Sequence, residues 1–225
     1  MSAIWLLSTK GRPIWCQEVL DACEKSQMTS QGIVWVDGDS YPELRLPENW
    51  QKVEAPWGGL RAGMQRCLKQ FPKASQYGWL ADDTHPVTEG WDKLVEEAAG
   101  TSYLAYCRDG WLSDNWLARP FLEIGEDLGG GLCWGGDLIR KVGWWAPPKL
   151  RQGGIDYVWT RLLSGLEMTR YLDEVTVLHK SWRCGARAKD GIDVLPHIDE
   201  DVQWAFAYVS SPGFRRIRKR LETAT

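Results

Sequence analysis

Asp82 and Asp83 stand side by side where an apolar run ends, in YGWLADDTHPVTEGW. Adjacent carboxylates repel each other, and a turn needs only one, so the pair asks for a positive partner. Two oxygen donors at a strand end suit a hard divalent cation, Mg2+ or Mn2+, which keeps open positions for phosphate oxygens. The local alternative is a cap, with Asp83 or Thr84 starting a turn and Pro86 near its first position.

Other residues of chemical interest also sit at the ends of apolar runs. Thr9 and Arg12 follow AIWLL, though Arg12 before Pro13 would be unremarkable as surface. Asp37 and Asp39 bracket Gly38 in VDGD, where they would serve equally as turn residues. His179 closes YLDEVTVLH, where a histidine at a strand end is ordinarily hydrogen-bonded. Asp156 in GGIDY stands at a helix start, where a carboxylate serves as a cap. His85 and His197 read as structural.

The elements that would position these groups are legible in the pattern. Ile4 to Leu7 reads as a buried parallel strand, and GIVWVDGD and YGWLADD as two more. Helical spacing recurs through Trp15, Val19, Leu20 and Cys23, through Leu60, Met64, Cys67, Leu68 and Phe71, and through Trp91, Leu94, Val95 and Ala98. The first hundred residues therefore alternate β-α-β-α-β-α, which predicts a parallel sheet with helices on its faces. Further on, SYLAYC, GLCWGG and YLDEVTVLHKSW read as strands, and GGIDYVWTRLLSGL as a helix. DNWLARPFLEIGEDLGGG reads as a loop, as does the stretch from Cys184 to Pro196. Residues 200–221 form a helical region interrupted by Pro212. In parallel sheets ligands sit beyond the carboxyl ends of the strands, so Ser8 to Arg12, Asp37 with Asp39, and Asp82 with Asp83 converge on one edge.

Composition narrows the classes of function. The chain has 225 residues, 44% hydrophobic and 25% charged, which fits one sizeable domain. Its 15 tryptophans are expected mostly in the core, with a few lining a groove for a base or a sugar. Six cysteines without a CxxC pair read as reduced thiols, and the expected location is the cytoplasm. The opening MSAIWLLSTKGRP reads as a strand rather than a secretory signal. No apolar stretch reaches 18 residues, so no membrane span is expected. The net charge of −3 argues against a general polyanion binder, yet Arg215, Arg216, Arg218, Lys219 and Arg220 oppose only Glu222, leaving −7 for the rest. The cluster reads as a solvated helix face or as a phosphate-tracking arm.

Taken in order, these pieces resemble the GT-A glycosyltransferases, especially their family-2-like group, over roughly residues 3 to 183. The resemblance is carried by LLSTKGRP, VDGD, GGLRAGMQRCL, WLADD, GWD, LCWGGDLIRKVG, GGIDY and VLHKSW. It implies a Rossmann-like, mostly parallel sheet flanked by helices. It also implies a nucleotide-sugar half (1–100), an acceptor half (101–183) and a C-terminal loop with a basic helix (184–225). By the same resemblance Thr9, Arg12, Asp37, Asp39 and Arg61 face the nucleotide of a UDP-sugar donor, with Asp82 nearer the ribose. Asp83 and His179 would be metal ligands for Mn2+ or Mg2+, and Asp156 the base that activates an acceptor hydroxyl, with inversion. GEDLGGG and PPKLRQGG would be loops that exclude water. The sequence departs from the family in reading Ala-Asp-Asp instead of Asp-x-Asp, and it lacks the Gln-x-x-Arg-Trp of processive synthases. Small GT-A enzymes similar to it occur among bacteriophage proteins that glycosylate hydroxymethylated pyrimidines in DNA, which implies a DNA acceptor held by the basic cluster. Two other readings stand beside this one: a nucleotidyltransferase acting on a sugar phosphate, and a non-catalytic module that binds sugar or nucleic acid.

Overall fold

A computed structural model describes residues 2–36, 43–56, 58–109, 131–180 and 196–223. At its centre is one eight-stranded sheet in the order β3-β2-β1-β4-β7-β6-β8-β5. The strands are β1 (Ala3–Ser8), β2 (Gln31–Val36), β3 (Trp50–Glu54), β4 (Gln76–Ala81), β5 (Thr84–Pro86), β6 (Leu104–Asp109), β7 (Leu132–Gly135) and β8 (Thr169–His179). β3, β2, β1 and β4 run parallel, β7 enters antiparallel between β4 and β6, and β6 pairs parallel with β8. The fold is α/β with a mostly parallel sheet, as expected.

Helices cover both faces. On one, α1 (Pro13–Lys25) and α3 (Trp91–Ala99) pack over Trp5, Leu7, Val34, Val36 and Leu80. On the other, α2 (Leu60–Gln70), α4 (Gly136–Val142), α5 (Ile155–Leu163) and α7 (Pro212–Glu222) pack over Ile4, Leu6, Ile33 and Tyr77. Because consecutive side chains of a strand point to opposite faces, continuous runs such as AIWLLS are buried throughout. α6 (Pro196–Val209) precedes α7, and Pro212 opens α7 at its first turn. The helical C-terminus thus begins earlier than residue 200 and does break at Pro212.

Most of the tryptophans among the described residues fill the core, as expected. Trp5, Trp35, Trp91, Trp134, Trp145 and Trp159 are fully buried. Three tryptophans need a glycine opposite them. A Cβ on Gly32, Gly63 or Gly78 would lie 2.2, 2.0 and 2.2 Å from the rings of Trp50, Trp35 and Trp5, respectively. Overpacking of this kind costs about 1–3 kcal/mol. Gly78→Ala is therefore expected to lower the unfolding free energy by that amount in a denaturant titration, and an unchanged midpoint would show that the Trp5 ring can move aside.

Two expectations fail in informative ways. In α3 the buried face is Trp91, Asp92, Val95, Glu96 and Ala99, while Leu94 is exposed. The reason is polar. Asp92 Oδ2 accepts from the Thr29 and Ser30 amides, Glu96 accepts from Trp5 Nε1 at 2.8 Å, and the one proton of the Ser30 hydroxyl lies between the two carboxylates. The β-α alternation of the first hundred residues is also interrupted by β3 and β5. The free cysteines 16, 23, 67, 107 and 133 are buried, and Cys184 lies outside the described residues.

Candidate active site

The carboxyl ends of β1, β2 and β4 share one edge because the three strands are parallel neighbours. Asp37 and Asp39, beyond β2, lie outside the described residues. The other two ends meet directly. Thr9 Oγ1 donates to Asp82 Oδ2 at 2.9 Å, and Arg12 Nη1 donates to Asp82 Oδ1 at 3.0 Å. The Thr9 amide also bonds the Trp35 carbonyl at 3.1 Å, fixing this segment to β2. Both oxygens of Asp82 thus tie the first strand end to the fourth. Burial pushes the Asp82 carboxyl up to about 6 despite the Arg12 guanidinium, with the neighbouring Asp83 charge adding to the rise and the Thr9 and Arg12 hydrogen bonds opposing it.

Asp83 faces a different partner. Residues 84–86 do not form the capped turn that was the local alternative; they form β5, antiparallel to β8, with Thr84 opposite His179. This pairing sets His179 Nε2 3.3 Å from Asp83 Oδ1, and the Lys180 amide donates to the Asp83 carbonyl at 2.7 Å. An oxygen and an imidazole nitrogen at that separation can share one divalent ion of about 2.1 Å bond length. The described residues contain no group of three or more acidic, histidine or cysteine ligands. His85 is buried in β5, and burial lowers its imidazole to about 4, in keeping with a structural role. Cys16 is shielded too: burial and the Asp82 charge raise its thiol well above the usual range, which removes it as a nucleophile.

Asp156 stands in the first turn of α5. α5 starts after Gly154, which occupies its N-cap with φ 71°, so Asp156 lies in the first turn and is not the N-cap residue. Its Oδ1 accepts from the Tyr157 amide at 2.8 Å. The loop before it touches the start of α2, which follows parallel β3 and so lies at the same edge as Asp82. There the Arg61 amide donates to the Arg151 carbonyl at 3.0 Å. This places Arg61 beside the 151–154 loop, and its buried Nε has no hydrogen-bond partner among the described residues. Of the two candidate covering loops, PPKLRQGG is the one described; GEDLGGG lies outside except for Gly131.

The basic cluster divides. Arg218 Nη1 and Nη2 donate to the Arg161 and Ser164 carbonyls at 2.9 and 2.6 Å, so this guanidinium closes the C-terminal end of α5. Arg215, Arg216, Lys219 and Arg220 are exposed, and none of them makes an ion pair among the described residues. Arg216, Lys219 and Arg220 line an open groove of about 710 Å³ with Tyr208 and Ile217. Spacing alone does not reveal Asp201 or Lys180 as contributors to the site, since both act through partners distant in sequence.

No protein-family model matches the sequence, and no curated protein sequence does either. Solved structures match at the level of fold. Glucosyl-3-phosphoglycerate synthase from Mycobacterium tuberculosis, in complex with Mn2+, UDP and glucosyl-3-phosphoglycerate, is 13% identical with a TM-score of 0.61, over 92% of this chain and 79% of that one. GalNAc-T7 with UDP, GalNAc and Mn2+ is 9% identical with a TM-score of 0.58, over 80% of this chain and 44% of that one. TarS of S. aureus is 12% identical with a TM-score of 0.55, over 78% of this chain. The present chain spans only 36% of TarS. The fold is of the GT-A type, and its structural neighbours are glycosyltransferases.

Proposed function

We propose that this protein transfers a sugar from a UDP-sugar to an acceptor hydroxyl with the help of a divalent cation. The observation that carries the reading is the pairing of Asp83 with His179 at 3.3 Å, beside the Thr9–Arg12–Asp82 cluster at the carboxyl edge of the sheet. Asp83 and His179 would hold Mn2+ in preference to Mg2+, since a mixed oxygen–nitrogen pair is less suited to the harder ion. The bound cation would neutralise charge developing on the leaving diphosphate. Thr9, Arg12, Arg61, Asp37 and Asp39 face the nucleotide in this reading, within a donor half of residues 1–100 and opposite an acceptor half of 101–183. Asp156 takes the proton of the acceptor hydroxyl as its oxygen bonds to the anomeric carbon and the bond to the diphosphate breaks. Attack by the acceptor opposite the leaving group inverts the anomeric centre. A nucleotidyltransferase would release pyrophosphate, so identification of UDP as the released product separates the two readings. A binding module would release neither.

The acceptor we propose is a hydroxymethylated pyrimidine in DNA, as a bacteriophage-type enzyme would use, and the basic groove favours it. α5 has nine residues, a length of about 13 Å. Asp156 stands at its start and Arg218 closes its end, so the groove of α7 lies well away from the reacting hydroxyl. A polymeric anion such as DNA is long enough to reach both. Replacing Arg215, Arg216, Lys219 and Arg220 by Ala is expected to flatten the dependence of duplex binding on salt by about 0.9 in log–log slope for each phosphate no longer neutralised. UDP affinity should not change. An unchanged slope, measured by fluorescence anisotropy over a salt series, would make this face plain solvated surface. No helix among the described residues is long and apolar enough to cross a membrane.

A further inference from the structure

The loop that delivers Asp156 is held by a residue with no local sequence signal. Asp201, in α6, is only 4% exposed. Its Oδ2 accepts from three consecutive amides, those of Arg151 at 2.9 Å, Gln152 at 2.7 Å and Gly153 at 3.1 Å. Together those amides form a concave, anion-binding run of N–H groups immediately before a helix. α5 has no side-chain cap of its own, because Gly154 occupies the cap position. Asp201 supplies from another helix the negative charge that a helix start favours.

Other interactions bracket the same segment. A Cβ on Gly154 would meet Ala205 at 2.8 Å, so α6 lies directly against the cap. On the opposite side, the Arg151 carbonyl accepts from the Arg61 amide, and a Cβ on Gly59 would fall 2.3 Å from that carbonyl. The far end of α5 is closed by Arg218 of α7. The two C-terminal helices therefore grip the helix of Asp156 at both ends; at its start Asp201 Oδ2 takes the three loop amides, and an exposed Arg151–Glu200 pair at 3.3 Å and the Gly154–Ala205 contact add to it.

We propose that Asp201 is a positioning residue for sugar transfer: it fixes the 151–154 loop, and thereby the place of the Asp156 carboxylate relative to the acceptor hydroxyl. This inference rests on the reading of Asp156 as the general base. A base misplaced by about 1 Å can cost 10²-fold in rate, whereas Asp82, Asp83 and His179 are held by β4, β5 and β8, and Arg61, though its amide meets the loop, is carried by α2.

The test compares Asp201→Asn, Asp156→Asn and the double variant, with UDP-glucose, Mn2+ and a duplex carrying 5-hydroxymethylcytosine, water serving as acceptor where the duplex does not. Asp201→Asn is expected to lower kcat by about 10- to 100-fold while UDP affinity and donor KM stay within twofold. The double variant should be no slower than Asp156→Asn alone, because a base that is gone cannot be misplaced. Gly153→Ala provides a second route should Asp201→Asn fold poorly. Its Cβ would press on the Ile198 carbonyl at 3.2 Å, shifting the loop without altering the carboxylate, and it should show the same loss confined to kcat. Full turnover in Asp156→Asn would remove the base assignment, and the positioning role with it. A slow Asp156→Asn beside an unaffected Asp201→Asn, or losses that simply add in the double variant, would overturn the positioning role alone.

Discussion

Replacing Asp156 by Asn is expected to slow sugar transfer by about 10²–10⁴-fold while UDP affinity stays unchanged. The asparagine keeps the shape and can still accept from the Tyr157 amide through its side-chain oxygen, a bond now made at 2.8 Å. It cannot take a proton from an acceptor hydroxyl. A stability effect of the substitution would be small, since Gly154 and not Asp156 occupies the N-cap of α5. The measurement is steady-state release of UDP with saturating acceptor, alongside calorimetric titration of UDP. A variant that turns over within a few-fold of the parent would reduce Asp156 to a first-turn acid that complements the helix dipole.

Asp83→Asn should remove the part of UDP binding that depends on Mn2+, and with it nearly all transfer. Asn is a neutral and weaker ligand, and it would leave His179 as the principal protein donor to the cation. The effect should be confined to the metal-dependent step. The Asp83 main chain would keep its place, because the Lys180 amide bonds the Asp83 carbonyl and not the side chain. His179→Ala should lower the Mn2+ dependence of UDP binding less steeply, since the carboxylate carries the charge. If both variants bind UDP with the full metal response, the cation is held elsewhere.

Much of this architecture can be read from the sequence because the strands that build the site are buried on both faces. IWLL, GIVWV and YGWLA are apolar without interruption, and the polar residues after each of them fall at one edge once the strands are parallel. The exceptions have local causes. WQKVE forms edge strand β3 with only Trp50 buried, so it lacks the apolar run that marks a central strand. THP becomes a strand only because β8 pairs with it, and that pairing is what brings His179 to Asp83. In α3 the spacing of Leu94 and Ala98 suggests an apolar face, but Asp92 and Glu96 turn inward to satisfy the amides of Thr29 and Ser30 and the indole of Trp5. Asp201 and Arg218 look like ordinary surface charges in the sequence; their backbone partners lie 48 to 57 residues away.

The most direct test of metal-dependent donor binding at this edge is calorimetric titration of UDP into the parent protein and into Asp83→Asn, each with and without Mn2+. The parent should bind UDP at least tenfold more tightly with Mn2+ present, a difference of about 1.4 kcal/mol, and Asp83→Asn should bind it equally with and without the ion. Equal affinity in the parent under both conditions, or a full metal response retained by Asp83→Asn, would contradict the assignment of Asp83 and His179 as the site that receives the donor's diphosphate.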